Sequence, residues 1–311
     1  MKIVVLDGYA ANPGDISWQE MEELGELTVY ERTGPCDIVP RANDAEAVLT
    51  NKCRITRELI CALPRLRYIG ELATGYNNID VACASEKGVA VTNIPAYSTQ
   101  SVAQHVFALI LEAASRVGEH SRLVKEGEWE HCPDFCFWRH PLTEIAGKRL
   151  GVIGAGAIGS RVARIGRAFG MTVTEYSPSR CPRETLDSII EESDIISLNC
   201  PLKKDNAEMI NSSVIARMKR GTWLVNTARG GLVDESAVAE ALKSGQIGMY
   251  MADVVTEEPI RGTNPLLGAP NMMLTPHIAW APYEARVRLM DTAVNNLKAY
   301  LEGRRLNRVD G

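Results

Sequence analysis

The feature that most constrains this chain is Gly154-Ala-Gly156-Ala-Ile-Gly159, which follows the apolar run LGVI and opens a stretch of helical spacing. GxGxxG alone is a weak signal. Strand, glycine turn and helix in direct succession make it the start of a dinucleotide-binding βαβ unit. Gly154 permits the tight turn, Gly156 lets the backbone approach a pyrophosphate, and Gly159 lets the helix pack closely on the strand. The helix start then offers unpaired N–H groups to the phosphates. A glycine-rich turn with no ligand is the plainer alternative, and the flanking elements weigh against it.

The rest of the chain alternates in the same way. Residues 2–7 read as a buried strand, and short β-branched runs recur at Ala47–Thr50, Tyr68–Leu72 and Val89–Thr92 with helical stretches between them. Such alternation implies parallel strands joined by crossover helices. In Ser98–Val117 the residues Val102, Val106, Leu109, Ile110 and Ala113 repeat at helical spacing, giving a long helix that leads into a second domain. Residues 118–147, with Trp129, Phe135, Phe137 and Trp138, lack clear periodicity and are expected to form an arm covering a partner subunit or overhanging a cleft. From Arg149 the alternation restarts. Strands are expected over 171–177, 194–199, 222–226, 248–253 and 272–274, with a closing helix over 283–301. The fold class is α/β with doubly wound parallel sheets, the second block being inserted into the first.

A chain of 311 residues accommodates two such domains. Its formal net charge of −5 gives no general attraction to nucleic acid or to an anionic membrane. No apolar run approaches the roughly 20 residues that span a bilayer, and MKIVVLDGYA has no signal-peptide organisation. Eight cysteines without a repeating framework suit reduced thiols in a cytoplasm. His131, Cys132, Cys136 and His140 cluster, but match no paired CxxC spacing. An aromatic-rich loop is the plainer reading, and no metal is expected.

The end of the strand after the glycine loop selects the cofactor. An acidic side chain there accepts from the adenosine ribose and repels a 2′-phosphate. This chain has Ser177, followed by Ser179 and Arg180, whose guanidinium can pair with a phosphate. Glu175 is nearby, but strand alternation turns it away. NADP is therefore the expected cofactor, with NAD the alternative, in which Arg180 is merely solvated.

Three chemistry-bearing residues stand beyond successive strand ends, where open α/β sheets place their ligands: Arg229 in NTARGGLVDE, Glu258 in ADVVTEEP and His277 in LTPHIAW. Each alone has a bland reading, since a lone histidine is often structural and a turn arginine or glutamate is often solvated. Together they fit the reduction of a 2-keto acid, which leaves an alkoxide at C2 that needs a proton donor. A histidine titrates near neutrality and can reverse the role. A carboxylate beside it fixes the ring and favours imidazolium, and an arginine fork holds the substrate carboxylate and polarises the carbonyl. Asp253 is expected on the nicotinamide side, accepting from the carboxamide.

These residues resemble the D-isomer-specific 2-hydroxyacid dehydrogenases, and the resemblance spans essentially the whole chain. Besides the glycine loop it rests on ATGYNNIDVACASEKGVAVTNIPAYSTQSVAQ (73–104), NTARGGLVDE, ADVVTEEP and TPHIAW. It implies Arg229, Glu258 and His277 as the catalytic set. It also implies backbone N–H groups at Ala73-Thr74-Gly75 on the substrate carboxylate, and Tyr97 and Trp280 lining the pocket. Implied cofactor contacts are Gly154, Gly156, Ala157, Ile158, Gly159, Ser177, Arg180, Cys200, Pro201, Thr227, Ala228, Arg229, Asp253 and His277. Ser177 departs from the aspartate common among NAD users.

The implied fold is two Rossmann-like domains with the active site in the cleft between them, usually in a homodimer. Residues 1–98 and 278–311 would bind substrate, and 99–277 the dinucleotide. GYNNID and NIPAYST look most like the glycerate dehydrogenase (hydroxypyruvate reductase) branch, in which an aromatic of the partner's arm can close the pocket. Trp138 is the candidate, with anchoring of the arm as its structural alternative. Hydroxypyruvate or glyoxylate is the favoured substrate. A D-lactate-type or branched 2-keto acid, or a non-catalytic nucleotide-sensing scaffold on the same fold, are the alternatives.

Overall fold

Most of the short apolar and β-branched runs become buried parallel strands. The computed structural model describes residues 1–311, which divide into two units: Met1–Ser98 with Ala281–Gly311, and Thr99–Trp280.

In the first unit β1 (Lys2–Val5), β2 (Glu26–Val29), β3 (Ala47–Thr50), β4 (Tyr68–Glu71) and β5 (Ala90–Thr92) form a parallel sheet. Their spatial order is β2-β1-β3-β4-β5. All residues of β3, β4 and β5 are buried, as expected when helices cover both faces. One core cluster gathers Val4, Val48, Ile69 and Val91 from the strands and Leu6 just beyond β1 with Ile38, Ile60 and Cys83 from the helices. Strand β2 lies at the edge and exposes Glu26, Thr28 and Val29, so the apolar pattern used above does not mark it. The helix Tyr283–Leu301 belongs to this unit and buries Leu289, Met290, Ala293 and Leu297. Its Arg286 grips both Asp15 oxygens at 2.6 Å.

The second unit begins with the helix Thr99–Ser115, whose Val106, Phe107, Ile110 and Ala113 join Leu150, Val152, Val225 and Met251 in one core. Its sheet contains β6 (Arg149–Ile153), β7 (Thr172–Tyr176), β8 (Ile195–Leu198), β9 (Thr222–Asn226), β10 (Ile247–Ala252) and β11 (Met272–Leu274). All are parallel, in the order β11-β10-β9-β8-β6-β7. The order reverses between β6 and β8, so the loops leaving their carboxyl ends diverge and open a crevice.

The segment after this unit's first helix is less irregular than its sequence suggests. Val117–Lys125 is a helix of its own, with an Arg122–Glu126 ion pair one turn apart. Only Leu123 of it is buried, so it carries too little apolar periodicity to be noticed. Beyond it Trp129 Nε1 donates to the Phe135 carbonyl at 3.0 Å. Phe135 and Trp138 remain 88% and 63% exposed. His140 pairs with Glu119 at 3.3 Å, and the Cys132 thiol donates to the Cys136 carbonyl.

Candidate active site

The glycine loop is built as its spacing requires. Gly154 has φ +102°, and a Cβ there would come within 2.6 Å of the Asn199 carbonyl carbon. At Gly159 a Cβ would meet the Gly154 oxygen at 2.0 Å, so the helix Ala157–Ala168 packs directly on the turn. A Cβ on Gly156 would meet open space. A phosphate group fits at that point, before the free first turn of a helix that no side chain caps.

Beyond β7 the Ser177 and Ser179 hydroxyls lie 3.3 Å apart, and Arg180 folds back to the Ala155 carbonyl at the edge of the glycine loop. Glu175 is engaged by Arg167 at 2.8 Å. Cys200 and Pro201 come one residue after the end of β8, and burial raises the Cys200 thiol above its ordinary pKa. Thr227 and Ala228 follow β9. There the Asn226 side chain accepts from the Ala228 N–H and donates to the Arg229 carbonyl, which fixes the turn.

Arg229, Glu258 and His277 lie beyond the carboxyl ends of β9, β10 and β11, which are neighbours in the sheet. Glu258 Oε2 lies 2.6 Å from His277 Nδ1, and Oε1 accepts from the Val255 N–H at 3.3 Å. A carboxylate on Nδ1 makes that nitrogen the donor, so Nε2 is the atom left to exchange a proton. The two side chains are 31% and 36% exposed, which leaves them open to a ligand. The Arg229 guanidinium is exposed and donates only to its neighbouring Ala228 carbonyl, at 2.7 Å.

Asp253 is held by the protein around it. It is 1% exposed, and its carboxylate accepts from the Thr275 hydroxyl at 2.6 Å and from the Ile278 and Ala279 N–H groups at 2.8 Å. His105 Nε2 lies 2.9 Å from the same Thr275 hydroxyl. Sequence reasoning missed both His105 and Thr275. The available signal was a polar residue at an otherwise apolar helix position, and a threonine two residues before the candidate histidine.

The remaining candidates divide between the units. In the first, the turn Ala73-Thr74-Gly75 follows β4 and is cross-braced. Thr74 Oγ1 donates to the Ile94 carbonyl at 2.7 Å, the Ile94 N–H donates to Ala73, and Asn93 donates to Thr74. Tyr97 is buried, and its carbonyl accepts from Arg288 at 3.0 Å. Trp280, partly buried, and Trp138, exposed, belong to the second unit.

A doubly wound domain with a glycine turn, and an imidazole–carboxylate pair beyond its strand ends, fits a nicotinamide-dependent oxidoreductase. A model of the D-isomer-specific 2-hydroxyacid dehydrogenase NAD-binding domain matches residues 107–279. The chain is 47% identical to a hydroxypyruvate reductase of Blautia hydrogenotrophica across all of both proteins. It is 37% identical to a glycerate dehydrogenase of Methylorubrum extorquens across 99% of each. An NADPH-dependent glyoxylate/hydroxypyruvate reductase from Sinorhizobium meliloti superposes with a TM-score of 0.83 at 28% identity, over 99% of this chain and 97% of that one. The chain belongs to the D-isomer-specific 2-hydroxyacid dehydrogenases, and it is an NAD(P)-dependent oxidoreductase of that family.

Proposed function

We propose that the protein reduces hydroxypyruvate, and also glyoxylate, to the D-2-hydroxy acid with NADPH, and runs the reverse oxidation. The observation that carries this reading is the His277–Glu258 bond at 2.6 Å, with an exposed Arg229 beyond the end of the neighbouring strand β9. When bound, the reduced nicotinamide supplies a hydride to C2. His277 Nε2 delivers the accompanying proton to the C2 oxygen, and takes it back in oxidation. Glu258 holds Nδ1 and with it the ring and tautomer. Arg229 binds the substrate carboxylate and polarises the carbonyl. The Ala73-Thr74-Gly75 N–H groups take part of the same carboxylate, while Tyr97, Trp280 and a partner's Trp138 shape the pocket.

The cofactor would be held by Gly154, Gly156, Ala157, Ile158 and Gly159, together with Cys200, Pro201, Thr227 and Ala228. Ser177, Ser179 and Arg180 would receive a 2′-phosphate that an aspartate would repel. The substrate follows from the hydroxypyruvate and glyoxylate named for the relatives. Exposed Trp129, Phe135, Trp138 and Leu142 support a homodimer joined through residues 118–147. No helix is long and apolar enough to cross a membrane, and all eight cysteines are free thiols, which supports a cytoplasmic location. Steady-state oxidation of NADPH and NADH against hydroxypyruvate, glyoxylate, pyruvate and a branched 2-keto acid tests this. Absence of turnover with all four would leave a nucleotide-sensing scaffold.

A further inference from the structure

The first unit has a crevice of its own that the proposed chemistry does not use. Its sheet runs β2-β1-β3-β4-β5, so strand order reverses between β1 and β3. Sheets of this order hold ligands at that reversal, where the loops from the two strands part. Here the loops line a half-open cleft of about 540 Å3, within the range that accommodates a nucleotide-sized molecule. All of its lining residues belong to Met1–Ser98.

The lining combines an apolar wall with a cationic rim. Ala10, Pro35, Ile38 and Leu59 form the wall. On one side the Arg32 guanidinium lies 4.0 Å over the Tyr9 ring, a planar platform of the kind on which bases stack. On the other are Lys52 and Arg54, neither of which makes an ion pair within 4.0 Å, whereas Arg32 is paired with Glu31. Asp7, at the end of β1, would repel an anion were it open. Instead its oxygens accept the N–H groups of Asn51, Lys52 and Cys53 at 2.8, 2.6 and 3.0 Å. That engagement compensates the carboxylate and fixes the loop that carries both cations.

We propose that this crevice is a second ligand site, for a nucleoside monophosphate. The phosphate meets Lys52 and Arg54, and the base lies along the apolar wall toward Arg32 and Tyr9. An inorganic phosphate would leave that wall wet, so the ring contributes to affinity.

Calorimetric titration with AMP tests the proposal, using protein already saturated with NADPH so that the glycine loop is occupied. The expected result is saturable AMP binding that persists under NADPH, is at least tenfold tighter than that of inorganic phosphate, and weakens at least tenfold in Arg54→Glu and Lys52→Glu. Both positions are exposed, and unchanged melting temperatures would confirm that the variants fold. Three outcomes overturn it: AMP binding that disappears under NADPH, variants that bind as the parent does, or phosphate that binds as well as AMP, which marks an adventitious ion only.

Discussion

Asp253 holds His277 through the backbone rather than through the ring. The two N–H groups that follow the histidine, of Ile278 and Ala279, both donate to Asp253 at 2.8 Å, and the Thr275 hydroxyl, two residues before it, donates at 2.6 Å. His277 itself sits at φ +55°, a left-handed conformation that a non-glycine residue keeps only when its surroundings impose it. Asp253 imposes it, and His105 steadies Thr275 from the helix Thr99–Ser115.

Loosening that clamp should move the imidazole without removing it. Asp253→Asn is expected to lower kcat by roughly 10–100-fold, the cost of a misplacement on the order of 1 Å, with the KM for NADPH little changed. Thr275→Val should show a milder version of the same split. A raised cofactor KM at unaltered kcat would instead support the role expected from the sequence, in which Asp253 accepts from the nicotinamide carboxamide.

Removing the imidazole should cost more. His277→Ala is expected to lower kcat by about 10²–10⁴-fold, the usual reach of general acid catalysis. Glu258→Gln keeps a group of the same shape beside Nδ1 and should lie between that variant and the parent. Turnover at the parent's rate in His277→Ala, followed as NADPH absorbance loss, would take the histidine out of the mechanism.

Ser177→Asp should exchange the cofactors. A carboxylate placed beside Ser179 and Arg180 repels a 2′-phosphate and accepts from a ribose hydroxyl instead. The ratio of kcat/KM for NADPH over NADH is expected to fall at least tenfold. A ratio that stays put would show that the phosphate lies away from Ser177.

Apolar periodicity located the elements whose burial it reflects. β3, β4 and the helix Tyr283–Leu301 were legible because each packs an apolar face into a core. β2 was silent because an edge strand with three exposed residues needs no such face. The helix Val117–Lys125 was silent for a similar reason. At the candidate site, motif wording singled out Arg229, Glu258 and His277, of which Glu258 and His277 meet at 2.6 Å. It could not say that Asp253 would turn toward backbone N–H groups, since that depends on where Thr275 and His105, far apart in sequence, meet in space. The first unit's crevice was equally hidden, because strand order rather than any local motif creates it.

Glu71 offers a test of the fold that is independent of catalysis. It ends β4, is 1% exposed, and its one hydrogen-bonding partner is the Asn78 amide at 2.9 Å. Burial pushes its pKa up from 4.5 to about 9; the Asn78 bond opposes this, nearby Asp7 adds to it, and Lys52 offsets part of it. The folded protein therefore retains a proton that the unfolded chain gives up above about pH 4.5. The stability tied to this group is complete below that pH and falls as pH rises through about 9, with a loss at pH 7 on the order of 3 kcal/mol. Glu71→Gln keeps the shape of the neutral acid and cannot ionise. Its melting temperature relative to the parent should climb steadily between pH 5 and pH 8. A difference that stays flat over that interval would mean that Glu71 is already charged in the native protein.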